Sequence, residues 1–302
     1  MDRIKNLFQK KRQQVLNVYC TAGYPQLNST LEVMKALQKN GADMIELGMP
    51  YSDPLADGPV IQQSGSIALA NGMTIKKLFE QLKDFRKNIS VPVVLMGYMN
   101  PVLQYGFEKF CADAASVGVD GLILPDLPEH EFETEYGAII KKHGLDFIFL
   151  VTPETSEERI KKLDVLSSGF LYAVSSSSTT GSDKNMTDVK SYLQKLKSLN
   201  LKNPVLVKLD ELSTGFLYAV SSSSTTGSDK NMTDVKSYLQ KLKGMNLKNP
   251  VLVGFGIKDK TTFEAACANA NGAIIGTAYI KALAEAGNVA DITRKFLETI
   301  RV

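Results

Sequence analysis

Residues 44–59 read Met-Ile-Glu-Leu-Gly-Met-Pro-Tyr-Ser-Asp-Pro-Leu-Ala-Asp-Gly-Pro. The stretch begins as an apolar run, Met44 to Gly48, and ends in a segment stiffened by Pro50, Pro54 and Pro59. The run has the length and composition of a buried strand, and prolines cannot continue a strand ladder because they lack the N–H. Glu46 sits inside the apolar part, between Ile45 and Leu47, and Asp53 and Asp57 follow on the loop. A carboxylate among apolar neighbours is costly to keep charged, which moves its titration towards neutrality, the tuning a general acid/base needs. A second carboxylate on a rigid loop next door keeps a different titration and a different role. A lone Ile-Glu-Leu more often marks a solvated face or a structural ion pair, so the surroundings must decide.

Outward from this stretch, short apolar runs alternate with helical patterns. Val15 to Cys20 reads as the first strand, with Thr21 to Pro25 as its exit loop. Ser29 and Glu32 form a capping-box pattern before a helix with Leu31, Met34 and Leu37 on one face, and Gly41 is placed to end it. Asp43 to Gly48 is strand two, and Thr74 opens a helix aligning Leu78, Leu82 and Phe85. Strand three is Val91 to Tyr98, and the helix Phe107 to Val117 stops at Gly118. Strand four is Asp120 to Asp126, followed by a helix from about Glu129 to Lys142. Strand five is Asp146 to Thr152, after which Thr155 and Glu158 make a second capping-box pattern. Late in the chain come a helix from Lys260, a strand Gly272 to Thr277 and a helix Ala290 to Ile300. Strands apolar on both faces, each followed by a helix, specify a parallel sheet. Periodicity alone does not separate an open doubly wound sheet from a closed barrel.

The chain has 302 residues, 44% hydrophobic and 22% charged, an ordinary globular balance. A net charge of +3 argues against a nucleic-acid or anionic-membrane partner. Cys20, Cys111 and Cys267 are odd in number and lack metal-ligand spacing, as expected of reduced thiols in the cytoplasm. His130 and His143 cannot build a histidine-rich site, so no metal is expected. The N-terminus lacks a signal-peptide core. Ile4, Leu7 and Phe8 instead predict a short amphipathic helix.

Residues 162–207 recur as 208–253, differing only at Val165/Glu211, Ser168/Thr214, Ser198/Gly244 and Leu199/Met245. Structural repeats diverge further and recur more often, so the pattern reads as a recent tandem duplication, a recombination between close alleles, an assembly error or an engineered repeat, within one expected domain, residues 1–302. Each copy holds a strand (Gly-Phe-Leu-Tyr-Ala-Val), a Ser/Thr/Gly loop, a helix and the start of another strand (Pro-Val-Leu-Val). Taking one 46-residue copy from 302 residues leaves 256, with eight strand–helix units, the size of a (β/α)8 TIM barrel. The eight residues between Val207 and Phe216 are too few for an ordinary parallel crossover. Eight barrel strands are therefore expected, with one duplicated strand–loop–helix–strand unit carried as an insertion. Which copy fills the barrel place stays open: copy one keeps its approach from the preceding helix, while copy two, towards which the reading leans, runs on into Gly254-Phe-Gly256.

Three glycine-bearing turns, Ser224 to Gly227 (or Ser178 to Gly181), Gly254 to Gly256, and Gly276-Thr277, fall where barrel loops commonly bind phosphate through backbone N–H groups. The motifs Glu46-Leu-Gly-Met-Pro-Tyr-Ser-Asp-Pro-Leu-Ala-Asp-Gly-Pro59, Met96-Gly-Tyr-Met-Asn-Pro101, Pro125-Asp-Leu-Pro128, Thr-Thr-Gly, Gly254-Phe-Gly-Ile257 and Gly276-Thr-Ala278 together resemble the tryptophan synthase alpha chain family. The resemblance runs from about Leu16 to Arg301, less one copy. It implies a lyase that cleaves indole-3-glycerol phosphate to indole and glyceraldehyde 3-phosphate without a cofactor. It implies Glu46 as general acid/base and Asp57 as the carboxylate binding the indole N–H. Tyr19, Thr21, Tyr98, Leu122 and Asp126 would match the pocket or its partner-facing rim, and Tyr218 or its duplicate Tyr172 the tyrosine beside the acid. Gly227 or Gly181, Gly256, Gly276 and Thr277 would match the phosphate site. Tyr19 and Leu122 are equally compatible with plain barrel packing. The implied partner is a beta chain in an alpha-beta-beta-alpha assembly. The duplication falls on a loop that such a family orders on substrate, so a chain that docks but turns over poorly is the competing expectation.

Overall fold

A computed structural model describes residues 3–11, 14–54, 57–151, 155–174, 205–208, 252–253, 259–267 and 272–301. The strands are β1 (Val15–Thr21), β2 (Met44–Gly48), β3 (Val93–Met96), β4 (Gly121–Ile123), β5 (Asp146–Phe147), β6 (Leu150–Val151), β7 (Leu171–Val174), β8 (Val205–Lys208), β9 (Leu252–Val253) and β10 (Gly272–Ile275). All pairings are parallel. One sheet runs β5-β4-β3-β2-β1-β10-β9 and the other β6-β7-β8. β5 and β6 are two halves of the single run expected as strand five, and β8 lies beside β9.

The side chains of β1 divide by parity between two cores. Leu16, Val18 and Cys20 pack with the helices, including Val33, Met34 and Leu37 of α2 (Thr30–Lys39). Val15 joins Met44, Val94, Ile123, Ile148 and Phe170 in a second cluster on the other face. Period-2 alternation produces this separation, and a wall buried on both faces leaves every strand residue apolar unless it has another task.

The inner cluster is closed at the strand N-termini by α1 (Arg3–Lys10), the short amphipathic helix the N-terminal pattern predicts. Ile4 is fully buried and Phe8 lies 6.0 Å from the Phe170 ring. Arg3 Nη1 donates to Asp120 Oδ1 at 2.9 Å, and Asp120 also accepts from Val93 N–H and pairs with Arg86. One carboxylate thus ties α1 to the starts of β3 and β4.

The helix starts differ in detail from expectation. Ser29 makes no side-chain cap; a 3-10 turn over Leu27–Ser29 carries the chain into α2, and Thr30 Oγ1 accepts from Gly23 N–H instead. The cap of the helix Glu157–Leu166 is Ser156, one residue beyond Thr155, and it accepts from Arg159 N–H. Thr74 does cap the helix Ile75–Leu82, through Lys77 N–H. Gly118 ends Phe107–Val117 at φ +95°, where a Cβ would come 2.8 Å from Arg86 Cγ.

Copy one supplies β7, Leu171–Val174, which pairs with β6. The helix Glu157–Leu166 delivers the chain to β7 through a few residues. The Pro-Val-Leu-Val segment contributes from both copies, as β8 and as β9. The Gly-Phe-Leu-Tyr-Ala-Val run of copy two, residues 215–220, lies outside the described residues.

Since Phe8 seals the inner core, Phe8→Ala is expected to lower the unfolding free energy by about 3 kcal/mol, read as a fall in the urea midpoint at unchanged slope.

Candidate active site

Glu46 is the third residue of β2, a strand buried along its whole length, and is 1% exposed. Its Cα partner on β1 is Tyr19. Asn17, two residues earlier on β1 and equally buried, donates from Nδ2 to Glu46 Oε2 at 3.1 Å. The acid therefore stands on an amide in the wall, in a desolvated setting, at the middle of its strand and two residues below the C-terminal end where β/α barrels place their active sites.

Tyr19 is half-buried and lies across the end of β2. A Cβ on Gly48 would fall 2.1 Å from Tyr19 Oη, so only glycine admits the ring there. Gly276, after β10, approaches from the other side; a Cβ there would be 3.7 Å from Tyr19 Cβ. Burial and then the Asp57 carboxylate hold the Tyr19 phenol well above its ordinary range, with Glu46 adding to the shift and the Thr21 hydroxyl opposing it. Tyr19 thus lies within electrostatic reach of both carboxylates.

Asp57 is half-buried on the loop after β2, and its carbonyl accepts from Gln62 Nε2 at 2.7 Å. The chain then enters α3 (Pro59–Ala70), with Pro59 in the first turn, where its missing N–H costs nothing. Ser64 of α3 meets Thr21 at 2.7 Å between hydroxyl oxygens and donates to Ile61 O at 2.8 Å. The Thr21–Ser64 bond fixes α3, and the loop before it, to the end of β1. Asp53 is exposed beside Ser52.

Tyr98 is half-buried before the helix Met99–Tyr105, its ring 5.3 Å from Tyr51 on the loop after β2. Tyr51 Oη accepts from Asn100 Nδ2 at 3.0 Å. Asp126 is exposed and accepts from Met99 N–H with both carboxylate oxygens, at 3.0 and 2.9 Å. The loops after β2, β3 and β4 are thereby linked along one rim.

Leu122 requires correction. It is fully buried in the outer cluster, with the helices, and does not face Glu46. Its neighbour Ile123 belongs to the inner cluster with Met44 and Val94. A shift of one residue along a strand exchanges the two faces, and a fully apolar strand gives no sequence signal of which is which. Gly276 is buried and Thr277 half-buried, at the start of the helix Thr277–Leu283, whose first bond is Ile280 N–H to Gly276 O. Tyr172 lies in β7. Tyr218, Gly227, Gly181 and Gly256 lie outside the described residues. The sequence reading passed over Asn17, although a polar residue at an inward position of an otherwise apolar strand is a signal of the same kind as Glu46.

Among the described residues, no group of three or more His, Cys, Asp or Glu is placed to hold a metal ion, and no helix is long and apolar enough to cross a membrane.

A parallel β/α wall that buries one carboxyl group beneath its C-terminal rim, with a second on the next loop and a glycine turn alongside, defines a β/α enzyme suited to acid–base chemistry on a small substrate. Comparison with known proteins narrows the class. The tryptophan synthase alpha chain family matches residues 4–210 and 206–301. The tryptophan synthase alpha chain of Parabacteroides distasonis is 42% identical over 302 residues, covering all of both chains. That of Flavobacterium johnsoniae is 43% identical over 289 residues, covering 95% of this chain and 96% of its own. Among solved structures, tryptophan synthase subunit alpha from Legionella pneumophila superposes with a TM-score of 0.71 at 31% identity, over 100% of this chain and 97% of the other. The chain belongs to the tryptophan synthase alpha chain family. It is a lyase of tryptophan biosynthesis, and the alpha reaction cleaves indole-3-glycerol phosphate.

The buried thiols give a pH test. Burial, with Glu46 adding to it, pushes Cys20 up to about 12, and burial with Glu108 does the same for Cys111, against 9.0 for a free thiol. A raised folded value contributes stability below pH 9.0 that is lost as pH climbs towards 12. Thermal scans are expected to show the melting temperature falling across that window. Iodoacetamide at pH 8 is expected to leave Cys20 and Cys111 unmodified, as mass spectrometry of the native chain would show.

Proposed function

We propose that Glu46 is the general acid/base and Asp57 the electrostatic partner of a retro-aldol cleavage of indole-3-glycerol phosphate. Protonated Glu46 gives its proton to the indole ring carbon that bears the side chain. The positive charge that develops spreads to the indole N–H, where Asp57 accepts a hydrogen bond and stabilises it. The Glu46 carboxylate then takes the proton of the side-chain hydroxyl. A carbonyl forms as the carbon–carbon bond breaks, and its electron pair returns to the ring. Indole and glyceraldehyde 3-phosphate leave, the proton count closes, and no cofactor enters. Tyr19 and Tyr98 flank the indole, and Tyr218 or Tyr172 stands beside the acid. Gly276 and Thr277, with Gly256 and Gly227 or Gly181, present backbone N–H groups to the phosphate. The single observation that carries the reading is the 1% exposure of Glu46 on β2, beside a tyrosine whose phenol also feels Asp57.

The same reading places the chain in the cytoplasm, docked on a tryptophan synthase beta chain in an alpha-beta-beta-alpha assembly. Support for a partner comes from the Pyrococcus furiosus tryptophan synthase complex, with which this chain superposes at a TM-score of 0.69 and 30% identity. A second reading, a barrel that docks but turns over poorly, is favoured by the fate of Val207. Copy one runs there into Lys208-Leu-Asp, and only copy two reaches the Gly254-Phe-Gly256 turn. On this account, residues 162–207 and 208–253 together carry one surplus unit of an eight-stranded TIM barrel.

Two measurements test this. Glu46→Gln is expected to lower indole release by about 10²- to 10⁴-fold with the melting temperature unchanged; unaltered release removes Glu46 from the role. Deleting residues 208–253 joins Val207 to Gly254 and leaves 256 residues. Indole release well above that of the parent chain would establish the impaired reading, and equal release would dismiss it.

A further inference from the structure

We propose that Asn17 is a positioning residue for Glu46: its amide donates to the carboxylate and, turned over, accepts from the carboxylic acid, so the group keeps one orientation while it gains and loses its proton. The inference rests on Glu46 being the general acid/base.

Geometry carries it. Asn17 and Glu46 are each 1% exposed, and the only hydrogen bond of the Asn17 side chain among the described residues is Nδ2 to Glu46 Oε2, at 3.1 Å. Asn17 Oδ1 is buried and accepts none there. Buried amides in folded proteins are nearly always satisfied on both atoms, so an acceptor left idle inside a wall needs a reason. A purely structural contact to a fixed carboxylate would be served by a donor alone. An acid/base group presents two faces in turn. As a carboxylate it only accepts; as an acid it also donates through O–H. A half-turn about the Asn17 χ2 exchanges Nδ2 and Oδ1 with almost no change of shape, so one side chain meets both states.

Among the described residues the groups around the pair are mostly apolar, and the tyrosine proposed to stand beside the acid, Tyr172 or Tyr218, is the other hydroxyl assigned to Glu46. On β1, Tyr19 stands in register with Glu46, and Cys20 lies within its field; burial keeps both protonated. β3 brings Val94 into register with Glu46, and α1 brings Ile4 and Phe8 to the same inner cluster, all apolar. β10, which pairs with Asn17 through Ile274, carries only Gly272, Ala273, Ile274 and Ile275. Asp57 acts from the loop above, through the field it shares with Glu46 at Tyr19.

The test is a titration that needs no turnover. Infrared difference spectra of the full chain against Glu46→Gln isolate the Glu46 carboxyl band and give its midpoint. Asn17→Leu removes both the donor to the carboxylate and the acceptor for the acid; the bond to the charged form is the stronger, so the midpoint is expected to rise by about one pH unit, a tenfold change. Asn17→Ser keeps a group that both donates and accepts; it is expected to fall between the two, and stands in if the leucine variant does not fold. In the indole-release assay with Asn17→Leu, kcat is expected to fall while KM holds. An unmoved midpoint overturns the proposal, as does a change confined to KM. Full turnover in Glu46→Gln would instead overturn the catalytic reading and leave the titration of the pair standing, so the two failures are distinct.

Discussion

A carboxyl group kept out of water inside a parallel wall is the constraint from which the rest follows. Glu46 is enclosed because β2 is buried on both faces, and β2 is buried because helices cover one side and the inner cluster the other. Water cannot solvate the charged form there, so the protein must supply what water would. Asn17 supplies a hydrogen bond from the neighbouring strand, and its amide rather than a cation does so. A lysine or arginine at that place would hold the carboxylate permanently ionised, which suits a structural ion pair and not the acid/base role proposed for Glu46.

The two ends of the wall solve different problems. At the strand N-termini the inner core is finished with apolar bulk, Ile4 and Phe8 of α1, anchored by the Arg3–Asp120 pair. At the C-termini, polar and aromatic groups replace that bulk: Tyr19 over Gly48, Tyr51 against Tyr98, Thr21 bonded to Ser64, Asp126 on Met99 N–H. Stability and chemistry are thereby held apart along the strand axis. The loop after β2 is tied into this rim at both sides, through the Tyr51–Tyr98 contact and through α3. A loop so connected positions Asp57 by the fold rather than by its own stiffness alone.

The repeated sequence shows how connectivity acts where composition is nearly equal. Copy one follows the helix Glu157–Leu166 and pairs with β6. Copy two keeps its own advantage, continuity with β10 through β9, and uses it.

The sequence by itself determined the alternation of strands and helices, the amphipathic α1, the stop at Gly118 and the family, because these depend on local periodicity and on a long contiguous motif. Glu46 was legible for the same reason: a charge in an apolar run stands out without any knowledge of its neighbours. Which face of a strand looks inward was not legible where every residue is apolar, so Leu122 was read for Ile123. Nor was the partner of the acid, since Asn17 and Glu46 are 29 residues apart and meet only through the β1–β2 register. Parallel pairing is set by crossover helices and packing at long range, and only the tertiary structure decides what stands beside what.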